Sequence, residues 1–314
     1  MNVKNDEPMP SKTNPLNILQ NESLARPEWL RVKIGSGRTY HHVRHLVTSK
    51  DLHTVCESAR CPNLGECWSR GTATFMLLGD ICTRSCGFCN VKVGKPHHFD
   101  EQEPARVAEA VKQMNLRHAV LTMVARDDLK DGGATVVAET IRKIREAKPD
   151  CSVEALISDL KGNRESLEIV LNAGPDILNH NLETVRRLQK ALRVQAMYER
   201  SLQVLKWSSL GSARVKSGIM VGVGETFEEI VETMMDLRAV GCQILTIGQY
   251  MPPTKAHYPL HRYYHPDEFA DLREVGLEMG FRHVESGPLV RSSYHAEEAV
   301  PSGLQSSEHP GEGY

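Results

Sequence analysis

Short apolar segments alternate with amphipathic ones along the chain from about residue 75. Six of the short segments have the length and the bounding turn residues of buried strands. The predicted strands are Phe75–Leu78, Ala119–Val124, Ser152–Ile157, Ile177–Asn181, Val215–Val221 and Gln243–Gln249.

The segments between these strands have the periodicity of helices. Glu225–Val240 is the clearest, because its large apolar residues share one face and Thr226 with Glu229 forms a capping box. Ala134–Ala147 repeats the apolar pattern, and Pro104 suits the first turn of another helix. The sequence therefore predicts strand and helix in alternation.

Such alternation requires crossover connections and a parallel sheet, which at this length indicates a full or partial α/β barrel. About six units are visible, whereas a closed barrel has eight. We therefore expect an α/β fold: an open, partial (β/α)6 TIM-type barrel with N- and C-terminal extensions.

The chain divides into four parts on this basis. Residues 1–55 form an N-terminal arm and extension, 56–72 a cysteine-containing segment, 73–285 the barrel, and 286–314 a C-terminal extension with a tail. Residues up to about 25, and those from Val300 to the end, contain few large apolar side chains, which predicts mobile ends.

The charge balance limits the classes of binding partner that the sequence favours. The 314 residues carry a formal net charge of -2 with 25% charged residues, so no basic excess favours nucleic acid or an anionic membrane surface. No apolar run approaches the roughly 20 residues of a membrane span, and the N-terminus lacks a signal-peptide pattern. We expect a cytoplasmic protein without nucleic-acid or membrane partners.

Six of the eight cysteines fall within 34 residues, in two runs. The runs are Cys56-x4-Cys61-x5-Cys67 and Cys82-x3-Cys86-x2-Cys89. Clustered thiols in an intracellular chain are more typical of metal ligands than of disulfides. Cys151 and Cys242 lie apart in apolar segments and are predicted to be buried without a chemical role.

The second run directly follows the first predicted strand, which places it at the C-terminal mouth of the barrel. Three thiolates on a four-iron cluster leave one iron open to a small molecule. The alternative is a structural zinc site, but zinc prefers four protein ligands in paired short spacings, and no suitable fourth ligand is visible. Iron and sulfur are therefore favoured.

This second run, with Phe88 before its last cysteine, resembles the signature of the radical S-adenosylmethionine enzymes. The resemblance implies that Cys82, Cys86 and Cys89 hold a catalytic [4Fe-4S] cluster whose open iron binds S-adenosylmethionine. Reductive cleavage of that cofactor would release a radical able to take hydrogen from an unactivated carbon.

Longer motifs resemble one family within that group, the lipoyl synthases, over about residues 27 to 298. They are CESARCPNLGECW, GDICTRSCGFCNV, RDDLKDGGA, NHNLETV, QYMPPT and SGPLVRSSYHAEE, in this order. The resemblance implies a second, auxiliary [4Fe-4S] cluster, held by Cys56, Cys61, Cys67 and Ser292, which the family consumes as its sulfur source. Serine oxygen is a harder donor than thiolate and binds such iron less well. The residues alone do not distinguish Ser292 from Ser293.

Contacts to S-adenosylmethionine are expected from Phe88, Gly132, Gly133, Glu154 and Asn181. The two glycines occupy the place of a motif that many radical enzymes use for the methionine amino group, with Ala134 where many members have glutamate. Glu154 and Asn181 lie on predicted strands that end at the barrel mouth, where polar residues are often functional, although simple solvation of strand ends is the alternative.

Three histidines follow the sixth predicted strand. His257, His261 and His265 lie in a stretch rich in Pro and Tyr, whose irregular spacing argues against a metal site. We expect a surface loop over the barrel mouth.

The function implied by the resemblance is insertion of two sulfur atoms, at carbons C6 and C8 of a protein-bound octanoyl-lysine. Implied partners are octanoylated lipoyl carrier domains, from the acyltransferase subunit of 2-oxoacid dehydrogenases or from the glycine cleavage H protein, and a ferredoxin- or flavodoxin-type electron donor. The alternatives are another radical enzyme with an auxiliary cluster, such as a methylthiotransferase, and a non-catalytic iron-sulfur electron carrier. The sequence does not distinguish the carriers, the donor, the route of cluster repair or the oligomeric state.

Overall fold

The computed structural model describes residues 25–32, 35–96, 100–294 and 296. The ends predicted to be mobile, up to about residue 25 and from Val300 onward, lie almost wholly outside the described residues.

Of the nine strands in the described residues, seven form one parallel sheet. The strands in chain order are β1 (Thr74–Leu77), β2 (Ile81–Cys82), β3 (Lys92–Val93), β4 (His118–Met123), β5 (Ser152–Leu156), β6 (Ile177–Asn179), β7 (Arg214–Val221), β8 (Ile244–Gln249) and β9 (His283–Gly287). The sheet has the order β1-β4-β5-β6-β7-β8-β9, while β2 and β3 pair separately. All seven strands are parallel, with β1 and β9 at opposite edges. The predicted α/β fold with an open, partial barrel is confirmed.

Each of the six predicted strands is present within two residues of its expected bounds, but the seventh, β9, was missed. Of its five residues only Val284 is buried, because β9 lies at the sheet edge and has a single neighbour. A strand with one apolar position lacks the hydrophobic pattern on which the sequence prediction depends.

Helices connect the strands of the sheet. They are α1 (Arg38–Ser49), α2 (Val55–Ser58), α3 (Leu64–Ser69), α4 (Glu103–Gln113), α5 (Ala134–Ala147), α6 (Arg164–Asn172), α7 (Gln189–Leu192), α8 (Tyr198–Ser208), α9 (Phe227–Ala239) and α10 (Pro266–Glu278). Short 3-10 turns occur at Glu28–Leu30, Leu160–Gly162 and Arg186–Leu188. The predicted capping box of α9 is confirmed, since Thr226 and Glu229 each accept from the other's backbone N–H. Within the described residues, no helix combines the length and the apolar character needed to cross a bilayer.

The interior consists of two apolar clusters that meet near β6. The first joins β1, β4 and β5 to α4, α5 and α6, and it extends to Trp68 of α3, which is 1% exposed. The second joins β7 and β8 to α9 and α10. Trp68 therefore packs the cysteine-containing segment, residues 56–72, onto the barrel.

Candidate functional site

Both cysteine runs face one cavity of about 550 Å³. Residues from or just after the C-terminal ends of β4, β5, β6, β7 and β8 line it, as expected for the functional face of a barrel. Five of the six clustered cysteines, together with both candidate serines, belong to its lining: Cys56, Cys61, Cys82, Cys86, Cys89, Ser292 and Ser293.

The second cysteine run begins at the end of β2 and continues into the loop before β3, and backbone contacts hold this loop. Gly87 N–H donates to the carbonyl of Leu192 at 2.7 Å, and Tyr258 N–H donates to the carbonyl of Gly87 at 2.8 Å. His257 Nε2 lies 3.2 Å from the carbonyl oxygen of Cys89. The predicted loop over the mouth thus contacts the cysteine loop directly, which the histidine spacing did not reveal.

Arg84 anchors the same loop from inside. Its guanidinium, 5% exposed, donates to both oxygens of Asp127 at 2.7 and 2.8 Å and to Asp159 at 2.6 Å. Burial lowers the pKa of Arg84, but its bonds to Asp127 and Asp159 more than compensate and raise it above its usual value. Thr83 N–H also donates to the carbonyl of Ala125 at 3.0 Å. The loop is therefore fixed to the ends of β4 and β5.

The first cysteine run lies on two short helices. Cys56 is in α2, Cys61 follows that helix, and Cys67 is in α3. Cys61 N–H donates to the carbonyl of Cys56 at 2.9 Å. Cys67 is not part of the cavity lining, but it is close enough to Cys56 and Cys61 for their charges to interact.

The C-terminal extension packs on this first run. Asn63 Nδ2 donates to the carbonyl of Leu289 at 2.6 Å, across 226 positions of sequence. Tyr294 OH lies 3.3 Å from Glu66 Oε1. These contacts hold the segment that contains Ser292 beside the first cysteine run.

Burial favours the protonated thiol at five of the six clustered cysteines. It raises the pKa of Cys56 to about 11 and the pKa values of Cys67 and Cys89 to about 12. Burial also raises the pKa values of Cys61 and Cys86. Because bound thiolates have lost their protons, metal loading at these positions must release protons.

The arrangement gives no support to a single zinc ion. Among the residues that the structure describes, no three His, Cys, Asp or Glu side chains are grouped to hold one metal ion. Tetrahedral zinc with sulfur ligands at about 2.3 Å needs sulfur atoms about 3.8 Å apart. A four-iron cluster keeps its thiolates farther apart, so each run of three cysteines is a candidate for such a cluster rather than for one zinc ion.

Asn181, just after β6, connects the barrel to the C-terminal extension. Its Nδ2 donates to Ser292 Oγ at 2.6 Å and to Glu183 Oε1 at 3.1 Å. All three residues line the cavity. Ser292 therefore has a hydrogen-bond partner at the end of a barrel strand.

The turn that contains Asn181 is unusual in its backbone and its charges. Glu183 has φ of 68°, a left-handed conformation that is uncommon for a residue other than glycine. Burial raises the pKa of its carboxyl, opposed by the charge of Arg193. Arg193 Nη1 donates to the carbonyls of Asn181 and Leu182 at 3.0 and 3.2 Å. Sequence reasoning missed Arg193, because it lies outside the motif that it supports.

Glu154 lies on the third predicted strand, as expected, but it faces the barrel interior. It is in the middle of β5 and outside the cavity lining, with 0% exposure. Its carboxylate accepts from Lys216 Nζ at 2.9 Å and from Asn179 Nδ2 at 2.8 Å. Both of its oxygens have partners inside the barrel, so the geometry does not support a cofactor contact from Glu154.

The two glycines also lie outside the lining, whereas Phe88 belongs to it. Gly132 and Gly133 have φ of 65° and 91°, and α5 begins directly after Gly133. A Cβ on Gly133 would lie 2.3 Å from Leu78 Cδ1, and one on Gly132 would lie 3.2 Å from Leu160 Cδ2. Close packing is therefore a sufficient reason for glycine at both positions.

Comparison with family models gives two matches. Residues 76–237 match the radical SAM superfamily, and residues 2–61 match the N-terminal domain of lipoyl synthase of the radical SAM family.

Curated relatives are similar in sequence to this chain over most of its length. A lipoyl synthase from Halalkalibacterium halodurans is 55% identical over 282 residues, covering 89% of this chain and 93% of the relative. A lipoyl synthase from Rubrobacter xylanophilus is 58% identical over 275 residues, covering 87% of this chain and 86% of the relative.

Solved structures share the fold at low identity. Methylornithine synthase superposes with a TM-score of 0.53 at 14% identity, covering 80% of this chain and 83% of that chain. HydG, a maturase of the [FeFe]-hydrogenase, gives 0.54 at 12% identity, covering 70% and 60%.

The chain belongs to the radical SAM superfamily and, within it, to the lipoyl synthase family. The expected family and fold class are thereby confirmed, and membership implies a [4Fe-4S] cluster and S-adenosylmethionine as cofactors. A methylthiotransferase and a non-catalytic electron carrier, the two alternatives left open by the sequence, are not favoured.

Proposed function

We propose that this chain has lipoyl synthase activity and inserts sulfur at carbons C6 and C8 of an octanoyl chain attached to a carrier lysine. The observation that carries the proposal is that cysteines of both runs and Ser292 line one cavity. One shared cavity lets a single substrate chain meet the group that removes hydrogen and the group that supplies sulfur.

The ligands separate into two sets. Cys82, Cys86 and Cys89 would hold the cluster that binds S-adenosylmethionine. A second set, Cys56, Cys61, Cys67 and Ser292, would hold the auxiliary cluster. When bound, the first cluster and its cofactor supply a hydrogen-abstracting radical, and the auxiliary cluster supplies sulfur.

The protein contributes placement and shelter. Met76, Met123, Ile219 and Met251 are among the apolar side chains of the cavity lining, which suits an octanoyl chain. Aliphatic carbon-hydrogen bonds are too inert for acid-base catalysis, so the cofactor supplies reactivity while these residues orient the chain and exclude water. Of the proposed cofactor contacts, the cavity position supports Phe88 and Asn181.

The partners proposed are those that present such a substrate. They are octanoylated lipoyl domains of the 2-oxoacid dehydrogenase acyltransferases or the glycine cleavage H protein, with a ferredoxin- or flavodoxin-type protein as electron donor. We also infer a cytoplasmic location, which clustered metal-type cysteines favour.

An anaerobic assay tests the proposal with an octanoyl-lysine peptide, S-adenosylmethionine and reductant, followed by mass spectrometry. The unaltered protein should add two sulfur atoms and release 5'-deoxyadenosine. Cys61→Ala should still release 5'-deoxyadenosine without thiolation, while Cys86→Ala should abolish both, each by about 100-fold or more because a ligand is lost. Cofactor cleavage by the unaltered protein without any thiolation, or equal loss of cleavage in the two variants, would contradict the proposal.

A further inference from the structure

The amide of Asn181 lies in the cavity that cysteines of both runs line. Asn181 is 6% exposed and donates through Nδ2 to Ser292 Oγ at 2.6 Å. The same nitrogen donates to Glu183 Oε1 at 3.1 Å, so one amide holds both Ser292 and Glu183.

The orientation of this amide follows from its partners. An ionised Glu183 oxygen only accepts, and it takes its hydrogen bond from the nitrogen of the Asn181 amide. The opposite atom, Asn181 Oδ1, is buried without a hydrogen-bond partner among the described residues. Glycine at 218 leaves it room, since a Cβ there would lie 2.9 Å from Asn181 Oδ1 and 2.5 Å from Thr246 Oγ1.

We propose that Asn181 is a positioning residue that holds Ser292 Oγ as the fourth ligand of the auxiliary cluster. This inference rests on the proposed function, because it assumes the cluster. A serine bound to iron carries more negative charge on oxygen than a free hydroxyl, and a hydrogen bond to a charged acceptor is about twice as strong as a neutral one. The bond from Asn181 therefore strengthens when Ser292 binds iron, and it retards loss of a donor that iron holds weakly.

The hydrogen bond from Asn181 also favours the Ser292 hydroxyl over the adjacent Ser293 hydroxyl as the ligand. Ser292 and Ser293 both line the cavity, and Asn181 donates to Ser292. Glu183 also holds the Asn181 amide in place. If the C-terminal segment shifted by one residue, the amide would not move with it. The fourth ligand is thereby assigned to one position.

Iron release from an isolated auxiliary site measures this role without catalysis. The parent for the experiment carries Cys82→Ala, Cys86→Ala and Cys89→Ala, so that bound iron reports the first cysteine run alone. After anaerobic reconstitution, the rate of iron transfer to a ferrous chelator is followed by absorbance. Asn181→Ala should release iron about tenfold faster than the parent, while the matched control Ser293→Ala stays within about twofold.

A double-variant comparison separates positioning from general loosening of the fold. In a Ser292→Ala background, adding Asn181→Ala should change the release rate by less than about twofold, because the partner through which Asn181 acts is already absent. Release from Asn181→Ala at the parent's rate would overturn the inference. So would an equal acceleration in both backgrounds, or Ser293→Ala behaving like Asn181→Ala. A parent that binds no iron-sulfur cluster at all would instead overturn the proposed function.

Discussion

His180 is a buried titratable side chain beside the proposed site, and its protonation state is set by its partners. Nδ1 lies 2.9 Å from the carbonyl oxygen of Ile157, so it carries the proton, and Nε2 lies 2.9 Å from Ser201 Oγ. Burial, together with the positive charge of Arg193, lowers the pKa of His180 to about 4. The pKa of His180 is therefore lower in the folded protein than in the unfolded chain, where it has its ordinary value.

This difference predicts a pH-dependent stability. As pH falls below about 6.5, His180 of the unfolded chain binds a proton. His180 of the folded protein does not bind one until about pH 4. The free energy of unfolding therefore decreases across that window. His180 should account for a loss of about 2 kcal/mol between pH 7.5 and pH 5. Urea denaturation of cluster-free protein at the two pH values, compared with His180→Gln, measures it. An unchanged pH dependence in the variant would show that His180 is not the group responsible.

At the residue scale, spacing singled out the cysteines as proposed ligands because each run is local in sequence. Glu154 shows the limit of that reasoning, since its partner Lys216 lies 62 positions away and nothing near either residue indicates the pair. The Asn181 contact with Ser292 spans 111 positions and was likewise outside the reach of the sequence. Polar residues on barrel strands can face the cavity or one another, and only the fold decides which.

The loop between β2 and β3 is the element on which the radical cluster is proposed to form, and Arg84 is its internal anchor. The guanidinium binds Asp127 through two nitrogens while also reaching Asp159. Lysine keeps the charge but cannot reproduce this planar fork.

Arg84→Lys should therefore lower the free energy of unfolding by about 2 kcal/mol and reduce iron binding at the second cysteine run. Iron per chain is measured in a background of Cys56→Ala, Cys61→Ala and Cys67→Ala, alongside denaturation of the cluster-free protein. Arg145→Lys is the matched control, because Arg145 pairs with Asp176 at 2.8 Å but is 37% exposed on α5. The anchor role is refuted if both substitutions leave iron binding equally intact.

Elements with strong apolar periodicity were predicted well, as α5 and α9 show. Ala134–Ala147 was recovered with its predicted bounds, and α9 begins at the predicted cap. By contrast, α2 and α3 are only 4 and 6 residues long, too short for a period to be visible. Their helical form depends on packing, such as the burial of Trp68 in the first apolar cluster.

At the scale of the whole molecule, the barrel brings distant parts of the chain to one opening. The C-terminal ends of its strands present the second cysteine run, α2 and α3 present the first, and the segment after β9 adds Ser292. Hydrogen bonds of Asn63 and Tyr294 join the cysteine-containing segment to the C-terminal extension at this opening. The family resemblance indicated that these parts belong to one site. The contacts between them could be found only from the structure.

Counting clusters by Mössbauer spectroscopy tests the central claim, that two separate thiolate sites share one cavity. Anaerobically reconstituted protein should contain two [4Fe-4S] clusters per chain, about eight irons, and each triple alanine variant of one cysteine run should retain one cluster of about four. A single cluster in the unaltered protein, or loss of both clusters when only one run is replaced, would contradict the account.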